Sequence, residues 1–276
     1  MKLAFSSNAY TNFSLNDSIA DISKIGYDGV EILCDIPHAY PLPMISGKIA
    51  ELKQVLINNK LEISNLNAFT LFGIGDTYHP SWIEEIQDLR KIRIDHTINC
   101  LRLAKQIGAN NISIEPGGPT EIPDKRENYL KVFKDGVNKV LPVAEKEKVR
   151  ILVEPEPGLL LENSGEFLQF IKDFNSEYIG LNFDIGHFVC VDEDPSKLIP
   201  KLSEYIHHFH LADIKGKVHN HLIPGLGSIN FKDILKSIND TGFEGFITVE
   251  LYPYKDNPSE AAIKSYRYLE GILNSY

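Results

Sequence analysis

The sequence predicts an α/β fold, a (β/α)8 TIM barrel. Two observations carry that prediction. Eight apolar strand-like runs, each followed by a helix-like stretch, fit into 276 residues. Polar residues also collect at the carboxyl ends of many of these runs rather than at one switch point. A doubly wound sheet is the alternative, because local patterning does not separate an open sheet from a closed one. No linker, low-complexity tract or composition break interrupts the chain, so residues 1–276 read as a single domain.

Leu3-Ala4-Phe5 opens the first strand. Leu15, Ile19, Ile22 and Ile25 then recur at helical spacing, with Ser14 as the cap and Gly26 as the stop. Gly29–Cys34 is the second strand, a helix over 47–59 follows, and Leu61–Leu66 is the third strand. Residues 70–85, with Gly73, Gly75, Pro80 and Trp82, break the rhythm and read as a long loop over one end of the fold. A long helix over 85–107 precedes the fourth strand, Ile112–Glu115, which runs into Pro116-Gly117-Gly118-Pro119. Leu130, Phe133, Val137, Val140, Leu141 and Ala144 mark another amphipathic helix. The remaining strands are 150–154, 179–184, 206–211 and 245–251, with helices near 164–173, 196–204, 230–240 and 258–274. Residues 214–229 between the last two strands read as a glycine-containing loop.

Four of these strands deliver a carboxylate or an imidazole at their carboxyl ends: Glu154, Asp184, His210 and Glu250. Barrel active sites are built there, so these side chains are expected to meet around one divalent metal ion. Carboxylates with imidazole and no thiolate suit Mn²⁺, the first expectation, or Mg²⁺, Co²⁺ or Zn²⁺. Any one of the four, taken alone, is equally an ordinary polar residue where a strand leaves the core. His187, three residues beyond Asp184, is a candidate substrate contact, or a cap on a strand-to-helix turn. Glu156 either shares the pocket or belongs to a rigid turn between Pro155 and Pro157. His219 and His221 are further substrate-binding candidates on a loop, or a solvent-exposed pair. His207 and His208 are expected in the barrel wall. No phosphate-loop or dinucleotide fingerprint occurs on a strand-to-helix turn, and Ser6, Ser7 and Asn8 lack a nucleophile-elbow context.

Composition narrows the partners. Lys and Arg number 28 against 38 Asp and Glu, and the net charge of −10 argues against a nucleic-acid or anionic-membrane binder. Cys34, Cys100 and Cys190 form no C-x-x-C pair, which disfavours a disulfide framework. The first residues carry no signal-peptide pattern and no run approaches about 18 apolar residues, so a cytoplasmic protein is expected. Phe188-Val189-Cys190 and Trp82-Ile83 are candidate faces for a homo-oligomer, or they pack the barrel's top.

With these residues in place, the sequence resembles the sugar phosphate isomerase/epimerase family, the xylose isomerase-like barrels, over essentially its whole length. The resemblance rests on Glu154, Asp184-x-x-His187, His210-x-x-Asp213, Pro224-Gly225-x-Gly227 and Glu250. In ketose 3-epimerases of this family the matching positions bind one divalent metal. The two glutamates there act as an acid/base pair on opposite faces of a substrate carbon. The resemblance therefore implies a metal-dependent isomerase or epimerase of a sugar or polyol, with Glu154 and Glu250 as catalytic residues and His187 as a substrate contact. Proton abstraction next to a metal-bound carbonyl gives an enediolate. Return of the proton to the other face is epimerisation, return to the neighbouring carbon is isomerisation, and loss of a β-hydroxyl is dehydration.

Two departures keep a dehydratase of an inosose or dehydroshikimate type open. The epimerases carry a further glutamate where this chain has Leu160, and an arginine after the strand-seven histidine where only Lys215, Lys217 and His219 follow. Endonuclease IV shares the four strand ends but uses three zinc ions and further histidines. Asn65, Asn67 and Glu115 stand in the corresponding strands here, which leaves that cluster incomplete. A non-catalytic barrel is the reading from another class, and the intact Glu154 and Glu250 count against it.

Overall fold

The computed structural model describes residues 1–120 and 125–274, and the backbone alone of residues 45 and 46. Its strands are β1 (Lys2–Ser6), β2 (Gly29–Leu33), β3 (Glu62–Asn67), β4 (Asn111–Ile114), β5 (Arg150–Val153), β6 (Ile179–Asp184), β7 (Ile206–Leu211), β8 (Asp213–Lys215), β9 (Val218–Leu222) and β10 (Phe246–Val249). Eight of them, β1–β7 and β10, pair in parallel and close into a barrel, β10 lying between β7 and β1. The sheet is thus closed, as eight strand–helix units predict, and not doubly wound.

Each unit follows from local chemistry. Ser14 caps the helix Leu15–Ile25, its side chain accepting from the Asp17 amide, and Gly26 ends it at φ 116°. Only a residue without a Cβ takes that angle cheaply. The helix expected over 47–59 is Ile49–Asn59, and a further short helix, Pro41–Gly47, precedes it. A short helix, Ile185–Cys190, also follows β6 directly, with Asp184 as its cap.

The stretch expected as a loop over 214–229 contains a hairpin. β8 and β9 pair antiparallel, and Gly216 at φ 73° opens the two-residue turn between Lys215 and Val218. Asp213, at the head of the hairpin, accepts from the amides of Gly225 (2.9 Å), Gly227 (2.8 Å) and Ile229 (3.0 Å). Its carboxylate therefore shapes the Pro224–Gly227 loop.

The long loop near 70–85 lies over one end of the barrel. Asp35 accepts from Thr70 (2.9 Å) and from the Gly73 amide (3.0 Å). The buried Arg93 donates to the carbonyls of Pro80 (2.8 Å) and Phe69 (2.7 Å). Trp82, Ile83 and Phe188 are buried: Trp82 packs edge-on against Phe133, and Phe188 lies 4.3 Å from Phe183. These three side chains pack the barrel's own elements. The thiols of Cys34 and Cys100 are free and touch at 3.1 Å. Among the described residues no helix is long and apolar enough to cross a membrane.

Candidate metal centre

Register brings the four strand ends together. Within the sheet, Asp184 pairs with His210, and His210 with Thr248. Glu154 and Glu250 are the first residues beyond β5 and β10. One donor atom from each of Glu154, Asp184, His210 and Glu250 lies within 4.8 Å of the others, and all four side chains are buried. Three carboxylates and an imidazole in that space fit a divalent cation. Asp184 Oδ2 has no hydrogen-bond partner in this cluster, a further sign of a site shaped for a cation.

Neighbouring side chains hold each donor. Asn8 and Asn67 both donate to Glu250 Oε1, at 2.8 and 3.0 Å. Asn182 donates to Glu154 Oε2 at 2.7 Å, and Glu154 Oε1 lies 2.9 Å from His210 Nδ1. The Asp184 carboxylate accepts from the His187 amide at 2.9 Å, which ties the donor to the start of the following helix.

Behind the donors lies a second layer of polar groups. Glu31, wholly buried on β2, reaches His210 Nε2 at 2.7 Å and accepts from Asn65 at 2.8 Å. His208 bonds Asn182 Oδ1 at 2.8 Å and Thr248 at 2.7 Å. His208 therefore faces the interior and not the wall as expected, because it shares the parity of His210. His207, of opposite parity, is half-buried in the wall. Glu31, Asn8, Asn67 and Asn182 went unrecognised as site residues from sequence. The one available signal was a lone charge, Glu31, inside an apolar strand.

Charge and burial oppose one another throughout. Burial alone would push His210 down, but Glu154, Glu250 and Glu31 hold it well above the usual imidazole range. Burial raises Asp184, yet His187, His219 and His210 outweigh it and hold the carboxyl below its ordinary value. Burial raises both Glu154 and Glu250, with His210 working against it in each case.

The centre opens into a cavity of about 600 Å³. His187, His219, His221 and Glu156 all line it, so the structure brings every one of these candidates to the same space. Glu156 accepts from the Tyr78 hydroxyl at 2.8 Å, and burial pushes its carboxyl up to about 8. Leu160 is buried and packs against Gly117, so no carboxylate enters from that position. Asn65 and Asn67 are taken up by Glu31 and Glu250, and Glu115 lies 3.5 Å from Arg93.

A family model described as a xylose isomerase-like TIM barrel matches residues 19–272. The chain belongs to the xylose isomerase-like TIM barrel family. Among its relatives is an uncharacterized protein of Methanocaldococcus jannaschii, 27% identical over 99% of this chain and 89% of the relative. Fructoselysine 3-epimerase of Escherichia coli O157:H7 is 24% identical, over 91% of this chain and 90% of that enzyme. Inosose dehydratase of Clostridium beijerinckii is 28% identical, but the match spans only 52% of this chain and 55% of the dehydratase. Two solved structures share the fold. A D-tagatose 3-epimerase-like protein superposes with a TM-score of 0.84, at 24% identity over 99% of this chain and 97% of its own. The IOLI protein with a binding zinc atom gives 0.82, at 20% identity over 100% and 99%. This xylose isomerase-like barrel thus has epimerases and dehydratases among its relatives.

Proposed function

We propose that this barrel is a divalent-metal-dependent isomerase or epimerase of a sugar or polyol, working by proton transfer at the carbon beside a carbonyl. The observation that carries the reading is the pairing of Glu154 and Glu250. Both belong to the four-donor set, both are buried, and each has an oxygen held by side-chain amides. Glu154, Asp184, His210 and Glu250 would hold the metal. When bound, it supplies Lewis-acid polarisation of the substrate carbonyl and stabilises the negative charge that develops as the proton leaves. Mn²⁺ leads, with Mg²⁺, Co²⁺ and Zn²⁺ as alternatives. The zinc atom of the IOLI protein supports a divalent ion in this fold.

The chain's own groups do the rest. One glutamate takes the proton and the other returns one. His187, His219 and His221 offer imidazoles to substrate hydroxyls, and the hydrogen-bonded pair Glu156 and Tyr78 lines the same cavity. Carboxylates and imidazoles share the cavity lining with Phe69, Phe72 and Tyr252, a mixture that suits a small polyhydroxy ketone.

Dehydration of a cyclic polyol ketone is the second reading. It is favoured by Leu160 in place of the epimerase glutamate and by the inosose dehydratase relatives. One experiment tests both: metal-loaded protein is incubated in D₂O with ketohexoses and with inososes, and followed by NMR. Deuterium uptake beside the carbonyl with a new epimer supports the first reading. Uptake with loss of water supports the second, and no exchange with either substrate class sinks both.

A further inference from the structure

We infer that the amino-terminal mouth of the barrel holds a second ligand site, which takes a small hydroxylated carboxylate through Arg150, Asn111 and Ser64. A cavity of about 520 Å³ opens there, lined by these three together with His207 and Glu244. Asn111, Arg150 and Phe246 are the first residues of β4, β5 and β10, so this cavity lies at the end of the barrel opposite Glu154 and Glu250. Catalytic groups of such barrels stand at the carboxyl ends of the strands. The site is therefore a binding site, and it stands independently of the metal-dependent reading above.

Arg150 supplies the charge. Its Nε donates to the Glu177 carbonyl at 3.2 Å, which holds the guanidinium, and among the described residues it forms no ion pair. An unpaired guanidinium keeps a fork of N–H donors that fits a carboxylate with two parallel bonds. The lining holds no second cation: burial, with Arg150 adding to it, pushes the His207 imidazole down to about 4, so the ring is neutral at pH 7. Glu244 contributes an exposed carboxylate to the same lining. One guanidinium beside one carboxylate suits a singly charged anion and disfavours a phosphate dianion.

The neutral groups call for hydroxyls. Asn111 pairs with Arg150 across β4 and β5, is 8% exposed, and its Oδ1 has no hydrogen-bond partner. A buried amide oxygen left unpaired is uncommon, and a hydroxyl in the adjoining cavity completes it. Ser64 is restricted to accepting by the groups behind it. Asn182 donates through its amide to Glu154, so its Oδ1 takes the proton of His208 Nδ1 at 2.8 Å. Burial pushes the His208 imidazole down to about 3, and the neutral ring accepts at Nε2 from Thr248 at 2.7 Å. Thr248 in turn accepts from Ser64 at 3.1 Å, which leaves Ser64 Oγ only lone pairs for a ligand. Two acceptors and a lone guanidinium match a carboxylate whose carbon chain carries hydroxyls.

Gluconate is the probe, titrated calorimetrically into the full metal-loaded chain. Saturable binding is expected, weakened about tenfold or more in Arg150→Gln and in Asn111→Leu and unchanged in Glu250→Gln. Thermal melts show that the variants fold. On the wild type, D-glucose, which lacks the charge, and acetate, which lacks the hydroxyls, should each bind more weakly than gluconate by about the same factor. No saturable gluconate binding, or undiminished binding in folded Arg150→Gln or Asn111→Leu, overturns the site. Loss of binding in Glu250→Gln also overturns it, since gluconate then sits at the four-donor centre. Glucose, acetate or inorganic phosphate binding as tightly as gluconate overturns the hydroxylated-carboxylate assignment.

Discussion

His210 is gripped from both sides: Nε2 lies 2.7 Å from Glu31 and Nδ1 lies 2.9 Å from Glu154. Glu31 approaches from β2, across the barrel interior, and is wholly buried. It fixes the ring so that Nδ1 points into the four-donor set. Glu31→Gln is therefore expected to weaken metal binding by about 10–100-fold, the usual effect of losing a ligand's hydrogen-bonded partner. Calorimetric titration of stripped protein with Mn²⁺ or Zn²⁺ reads this directly. Unchanged affinity would show that Glu31 has no hold on His210.

Glu250→Gln separates chemistry from folding. The amide oxygen still accepts from Asn8 and Asn67, so the local hydrogen bonds survive. The proposed proton-transfer group is lost, and turnover should fall by about 10²–10⁴-fold. Deuterium uptake and thermal melting, measured together, should show activity gone and stability nearly unchanged. A variant of full activity removes Glu250 from the mechanism.

Arg93 carries a structural load away from the centre. It is buried, holds the carbonyls of Phe69 and Pro80, and lies 3.5 Å from the buried Glu115. Burial pushes Glu115 up to about 8 even though Arg93 works against it. Arg93→Met frees the loop's anchor and leaves the Phe69 and Pro80 carbonyls without their donor, at about 1–3 kcal/mol each in urea unfolding. A loss below about 0.5 kcal/mol, typical of surface changes, would contradict this role.

His96 gives the pH prediction. Burial, with Arg93 adding to it, pushes its imidazole down to about 3. The unfolded chain takes up the proton near pH 6.5, while the folded chain resists it until about 3. The contribution of His96 is thus fully present above pH 6.5 and is lost progressively as pH falls towards 3. Melting temperatures at pH 7, 5.5 and 4 should fall less steeply in His96→Gln than in the wild type. Equal slopes would exclude His96 as a source of acid sensitivity.

The closed barrel and the four strand ends were legible in the sequence because each of Glu154, Asp184, His210 and Glu250 ends an apolar run. The polar groups that hold them were not. Asn8 lies beyond β1, while Glu31 and Asn67 lie within strands, and what they touch is set by which strands become neighbours across the barrel. The β8–β9 hairpin was hidden for another reason. Its strands are short and polar, and Lys215-Gly216-Lys217 carries no alternating apolar pattern. Whether Trp82, Ile83 and Phe188 pack the barrel's top was left open by the sequence, since only tertiary packing against groups such as Phe133 and Phe183 decides their burial.

The most direct test of the central claim is anomalous diffraction from crystals of the manganese-loaded protein. A peak at the metal edge within ligand distance of Glu154, Asp184, His210 and Glu250 is the predicted result. Full occupancy elsewhere in the chain, or no peak at saturating metal, would contradict it.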